Sequence, residues 1–313
     1  MSFMIDYKKT AKFVLKLFVS LMFVVWLIIE TDWSEVFLHV QKISFLHVAL
    51  YVAVLILGML ISAWKWKMLL SCKDIDISLK RSFQLYLTGA FINNFMPSTI
   101  GGDTYRTFQI GKIDKKYRAV GSSVIFDRLT GLFSVMLLTG IIAIFQWGEI
   151  SKYPELKLSI VVVLALMHAL IFLGILTRLE LWKKISNKFP KFIQEFSGEF
   201  AHYRQGKSYL KAIGISILFS LVGLALVNAI LFNGLGISIG IMQYLTVIFL
   251  ISIITALPIS INNIGIKEWA YVTFFGFFGV SASAVVAVAL VSRALQMIVS
   301  FAALPYYLRN REK

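Results

Sequence analysis

Apolar runs long enough to cross a bilayer fill this chain, and two of them are broken at a proline by a short polar stretch. The first break reads Asn93-Asn94-Phe95-Met96-Pro97-Ser98-Thr99-Ile100-Gly101-Gly102-Asp103-Thr104-Tyr105-Arg106; the second reads Leu257-Pro258-Ile259-Ser260-Ile261-Asn262-Asn263-Ile264-Gly265-Ile266-Lys267-Glu268. Hydrocarbon offers no partner to a free backbone N–H or C=O. Non-helical backbone at membrane depth therefore survives only where it is buried in protein or lines a polar cavity, and a polar site is expected at both breaks.

Composition narrows the class. The 313 residues are 58% hydrophobic with a mean hydropathy of +0.80, against roughly 45–50% apolar usage in soluble domains. The expected fold is an all-α polytopic membrane protein forming a single membrane domain over residues 1–313. A net charge of +15 would suit nucleic acid, but the Lys and Arg residues gather at the ends of apolar runs. Membrane topology and anionic headgroups account for them there, and no basic face on a soluble element exists to hold nucleic acid. The single cysteine, Cys72, excludes an internal disulfide and a multi-cysteine metal site. His39, His47, His168 and His202 lack ligand spacing, so no metal or other cofactor is expected. His168, inside an apolar run, reads as a packing histidine or a proton relay.

Six spans are expected at about 11–29, 44–63, 119–147, 158–177, 209–232 and 284–308, each near the 20 residues or so that a spanning helix needs. Lys8, Lys9 and Lys12 precede the first, and Glu30-Thr31-Asp32 follows it without a small-residue cleavage site, so it reads as uncleaved. Segments 83–111 and 243–280 each hold two shorter apolar arms around a break, the pattern of a re-entrant helical hairpin. Lys65, Lys67, Lys73, Lys80 and Arg81 before the first, and Lys112, Lys115, Lys116 and Arg118 after it, place both its flanks in the cytoplasm. The uncharged flanks of the second place it on the other face, with both termini inside. Loops 30–43 and 148–157 then fall outside. Trp33 and Trp147 become outer anchors, and Trp64, Trp66 and Trp182 inner ones.

This arrangement contains an inverted-topology repeat, about 44–147 and about 209–308, with broken helices meeting near the midplane as in transporters. Between the halves, 178–207 shows Trp182, Ile185, Phe189, Phe192, Ile193, Phe196 and Phe200 at intervals of three and four, interrupted at Pro190. That is an amphipathic cytoplasmic connector, lying on anionic lipid or docking to a partner protein.

Several residues at the breaks carry chemistry. Pro97 ends a helix and Gly101-Gly102 permits close backbone approach, so a half-helix starting near Thr99 would turn free N–H groups toward an anion, beside Asn94 and Ser98. Asp103 and Arg106 share a face of that helix, where they either pair or bind a charged headgroup; a solvated loop is the alternative. Asp127 and Arg128 lie two turns inside a span, where Arg128 suits Asp103 and Asp127 suits Arg106, as a ligand site or as a helix-locking pair. In the second half Arg293 is the expected counter-ion of Glu268. Lys267 pairs with Glu268 or contributes to a substrate site, and Asn262-Asn263 either caps freed backbone or touches ligand.

PSTIGGDTYR after an apolar arm, FDRLTG at 126–131, and LPISINNIGIKEWA followed by a span containing SRAL resemble the transmembrane region of lysylphosphatidylglycerol synthases, the flippase-like domain family. The resemblance covers nearly the whole chain. It implies a membrane domain that translocates a lipid between leaflets of a prokaryotic cytoplasmic membrane. Synthase activity is not carried over, because relatives of that type bear it on a soluble domain and Lys313 follows closely on Leu308. Membrane lipids are the expected partners, with a charged-headgroup phospholipid, an aminoacylated phospholipid or a polyprenyl-phosphate lipid as substrate. The competing readings are an integral-membrane enzyme with Asp103 or Glu268 as general base, and an accessory subunit of a separately encoded lipid-modifying enzyme; a homo-oligomer is left open.

Overall fold

The computed structural model describes residues 7–96, 100–176, 203, 208–257 and 259–311, and among them every regular element is helical. Pro97, Ser98, Thr99 and Pro258 lie outside the described residues, as does the connector 178–207 apart from Tyr203 and so its expected amphipathic helix. In chain order the helices are α1 (Tyr7–Glu30), α2 (Trp33–Gln41), α3 (Phe45–Ser71), α4 (Leu79–Asn93), α5 (Gly101–Asp114), α6 (Tyr117–Ile150) and α7 (Pro154–Leu176). Then come α8 (Ser208–Gly234, π-helical over Ser220–Leu226), α9 (Ile241–Ala256), a 3₁₀ turn at Ile261–Asn263, α10 (Ile266–Gly276), α11 (Ala282–Phe301) and α12 (Leu304–Arg311). Five of them, α3, α6, α7, α8 and α11, are long and apolar enough to cross a membrane, and a sixth span counts α1 and α2 together across a bend of 84°.

The outer loop expected at 30–43 is largely helix α2. Asp32 Oδ1 accepts from the N–H groups of Ser34 at 2.9 Å and Glu35 at 3.2 Å, which caps the new helix, and Val36 is buried. The expected last span is also shorter. It stops at Phe301 and restarts as α12, where Pro305 sits in the first turn and its missing N–H costs no hydrogen bond.

At the centre α3 and α8 lie side by side in opposite directions. His47 Nε2 meets Asn233 Oδ1 at 3.2 Å near one end, Lys65 Nζ donates to Ser216 Oγ at 2.8 Å further on, and Cys72 Sγ donates to Ser208 Oγ at 3.3 Å at the other end. Midway, a Cβ on Gly58 would stand 2.9 Å from the Gly223 Cα, so two glycines let the backbones touch. The α8 residue at this crossing lies within the π-helical stretch. Serine and threonine hydroxyls inside the spans mostly donate to carbonyls one turn back, as Ser134, Thr139 and Ser220 do at 2.7, 2.8 and 2.9 Å. Such a bond spares the hydroxyl from facing lipid without a partner.

On one side α4 packs on α5, and on the other α9 packs on α10. The first arm of each pair also packs against the long helix of the other half: α4 on α11, and α9 on α6. The α4–α5 crossing depends on two facing glycines. A Cβ on Gly102 would stand 2.5 Å from the Gly89 carbonyl oxygen, whereas one on Gly89 would meet Gly102 atoms at 3.3 Å. Gly102→Ala is therefore expected to destabilise the protein by about 1–3 kcal/mol, the range for overpacking, and Gly89→Ala by less. Thermal unfolding of both variants in detergent checks the order; equal midpoints would show that the crossing yields freely.

Candidate functional site

The α4–α5 pair and α6 meet over a ladder of five charges. At its inner end Lys65, on α3, places Nζ 2.9 Å from Asp127 Oδ1 and donates to the Asp127 carbonyl at 2.9 Å. Asp127 Oδ2 accepts from the Tyr86 hydroxyl and lies 3.7 Å from Arg106 Nη2. Arg106 in turn donates to Asp103 Oδ1 at 2.6 Å, and the other oxygen of Asp103 accepts from Arg128 Nε. Three cations thus alternate with two carboxylates from the core outward. The inner members are buried, with Lys65 5%, Arg106 4% and Asp127 6% exposed, whereas the Arg128 side chain is 43% exposed.

Local structure holds each rung. The Asn93 side chain accepts from the Gly102 N–H at 2.7 Å, which satisfies one of the free donors at the start of α5 and sets Asp103 in its first turn, where a carboxylate is favoured by the helix dipole. Arg106 follows Asp103 on the same face and lays its guanidinium against two rings, 4.0 Å from the centre of Tyr86 and 4.7 Å from that of Trp66. Trp66 is itself fixed by donating to Ser123 Oγ at 3.0 Å.

Arg128 opens onto a pocket of about 520 Å³ between α5 and α6. Asp103 and Arg128 supply its charged wall; Ile100, Phe108, Tyr117, Val124 and Ile125 supply most of the rest. A cavity with one ionic wall and an apolar remainder accepts an amphiphile.

The tip of the α9–α10 pair is built on a related plan. Gly265, at φ 81°, donates its N–H to Glu268 Oε2 at 2.8 Å, and Glu268 Oε1 pairs with Arg293 Nη2 at 2.9 Å. The same guanidinium donates to the carbonyls of Asn262 and Asn263, each at 3.2 Å. Those two asparagines have φ of 48° and 58°, a left-handed conformation that asparagine tolerates better than most residues. Asn263 Nδ2 also donates to the Thr255 carbonyl at 2.8 Å. Lys267 does not reach Glu268 but donates to Ser292 Oγ at 2.8 Å.

Of the sequence candidates, Gly101, Gly102, Asp103, Arg106, Asp127 and Arg128 come together at the first tip, and Asn262, Asn263, Lys267, Glu268 and Arg293 at the second. Ser98 lies outside the described residues. Asn94 turns away from the ladder and donates to Ser300 Oγ at 2.7 Å, tying the first tip to α11. Lys65 and Trp66, read as markers of the cytoplasmic edge, are instead buried inside α3, which continues to Ser71. The signal for Lys65 was its seven-residue spacing from Gly58 and Tyr51, which puts the three on one stripe of α3, too short to stand out against an apolar run. His168 is exposed and donates its Nδ1–H to the Leu164 carbonyl at 2.7 Å. Among the described residues no group of three His, Cys, Asp or Glu side chains is placed to hold a metal ion.

These features define a polytopic membrane protein with an acid–arginine pair at each of two helix breaks. Its family follows from comparison: the chain belongs to the family described as the lysylphosphatidylglycerol synthase TM region, whose profile matches residues 13–303. Two archaeal sequences, each called a UPF0104 membrane protein, are similar along most of their length. The one from Methanothermobacter thermautotrophicus is 22% identical over 271 residues, covering 78% of this chain and 80% of its own. The one from Methanocaldococcus jannaschii is 24% identical over 278 residues, covering 79% of each.

Proposed function

We propose that this protein is a lipid transporter of the cytoplasmic membrane that moves a lipid with a phosphate-bearing headgroup between leaflets. One observation carries the reading: the half-exposed Arg128, held by Asp103, stands at the wall of an otherwise apolar pocket. A headgroup crossing hydrocarbon must exchange its water for polar side chains, since an uncompensated ion there is expensive. Arg128 supplies a guanidinium whose fork matches a phosphate, and the pocket's apolar walls suit the first carbons of the chains. Asp103 acts as the occupant of that guanidinium between substrates, and the Arg106 beside it keeps Asp103 in place once Arg128 turns to the lipid.

The test is leaflet-resolved labelling of phosphatidylglycerol and of a polyprenyl phosphate in proteoliposomes containing the full chain. Movement well above that of protein-free vesicles, for at least one of the two lipids, is expected. Equal rates with and without protein for both would overturn the reading. Extraction of the same vesicles tests the enzymatic alternative, because a transporter returns the lipid chemically unchanged.

A further inference from the structure

The shift in sequence that carries Asp103 onto Glu268 also carries Arg128 onto Arg293, since both acid–arginine pairs are separated by 25 residues. The same shift carries the start of α5, Gly101, onto the start of α10, Ile266, and the start of α6, Tyr117, onto the start of α11, Ala282. It also carries Gly58 onto Gly223, and these two glycines touch where α3 and α8 cross in opposite directions. Two residues that correspond to each other and meet each other mark an axis of twofold pseudosymmetry lying across both helices. The interlocked arms fit it, α4 on α11 and α9 on α6.

The geometry points to a second headgroup site at the tip of the α9–α10 pair, formed by Arg293, Lys267 and Ser260, that takes the same phosphate-bearing lipid as Arg128. This inference rests on the reading of Arg128 as a headgroup contact. The two halves differ in what surrounds their pairs: the positions of Lys65, Arg106 and Asp127 are filled in the second half by Ile230, Tyr271 and Ser292. The inner ladder of the first tip is thus missing from the second, and its place is taken by one cation, Lys267, bonded to the Ser292 hydroxyl. With Arg293 it gives two cations against the single carboxylate Glu268. A third polar group stands at this tip, because the Ser260 hydroxyl belongs to a residue only 2% exposed and has no hydrogen-bond partner. Two cations and a buried hydroxyl donor are the chemistry of a phosphate site, and Glu268 occupies it as Asp103 occupies the first.

In this structure α1 covers the second tip. Ser20 Oγ accepts from the Ile261 N–H at 2.9 Å, the Phe23 side chain lies directly over Gly265, and the rings of Phe23 and Trp269 are centred 5.7 Å apart. The first site opens onto its pocket while α1 lies over the second, the unequal exposure that alternating access through one pathway requires.

The experiment is photolabelling of the full chain in lipid nanodiscs with a phosphatidylglycerol bearing a diazirine next to its headgroup, and mapping of the labelled peptides. Label is expected in 101–128 and in 260–269. Phe23→Ala should raise the second at least threefold, and Lys267→Gln should lower it at least fivefold with the first unchanged. Excess short-chain phosphatidylglycerol should displace both labels and inorganic phosphate neither. Label confined to 101–128, in wild type and Phe23→Ala alike, overturns the second site and leaves the transporter reading standing. Label at neither segment counts against both. Second-site label that ignores Lys267→Gln, or that yields to inorganic phosphate alone, overturns the assignment to a lipid headgroup on Lys267.

Discussion

Arg128→Ala is expected to reduce lipid translocation in proteoliposomes by at least tenfold while the protein remains folded. A charge-assisted hydrogen bond to a phosphate contributes about 1.5–3 kcal/mol, and about 1.4 kcal/mol corresponds to a factor of ten, so the loss falls between one and two decades. Folding should survive because Arg128 is half-exposed and because Asp103 keeps Arg106 as a partner; a pair of that exposure contributes about 1 kcal/mol or less. Arg128→Lys is expected to recover part of the rate, since it restores the charge but not the two-pronged geometry. The measurement is the translocation rate beside a melting curve in detergent. An Arg128→Ala protein that melts like wild type and transports like wild type would remove Arg128 from the pathway.

Asp127→Ala has the largest expected effect on stability. Asp127 is 6% exposed and is the carboxylate that faces both buried cations, Lys65 at 2.9 Å and Arg106 at 3.7 Å. Removing one member of a buried pair leaves an uncompensated charge, at about 3–5 kcal/mol. The double variant Lys65→Met with Asp127→Ala should be less destabilised than the sum of its single changes, with a coupling of about 0.5–3 kcal/mol. Equilibrium unfolding of the four proteins of this cycle in detergent decides it. Strict additivity would mean that Lys65 and Asp127 hold nothing together.

These predictions separate two roles within one ladder. The inner rungs, Lys65, Asp127 and Arg106, fasten α3, α4, α5 and α6 to each other; the outer rung, Asp103 with Arg128, meets the pocket. An ion network that is buried inside and half-open at its rim holds a guanidinium in place at the pocket wall.

Much of this was legible in the sequence. Apolar runs of bilayer length required helices, since only a helix satisfies its own backbone in hydrocarbon. Charges placed inside those runs, Asp127, Arg128 and Arg293, announced that they had partners, because leaving them alone is too costly. The lengths of α2 and α12 were harder to read, because they turn on a cap at Asp32 and a restart at Pro305 rather than on hydropathy.

The sequence by itself determined the class of fold and which charges had to be neutralised, because both follow from the absence of water in the membrane. Three pairings, Arg128 with Asp103, Asp127 with Arg106 and Arg293 with Glu268, were already expected from it; the tertiary structure decided the remaining partners. Lys65 counts as an edge marker until α3 is seen to run on to Ser71 and turn it toward Asp127; Asn94 counts as a site residue until Ser300 takes its amide. The crossing of Gly58 with Gly223 likewise exists only once α3 and α8 are laid against each other, since contact between distant residues is a property of packing and not of local chemistry.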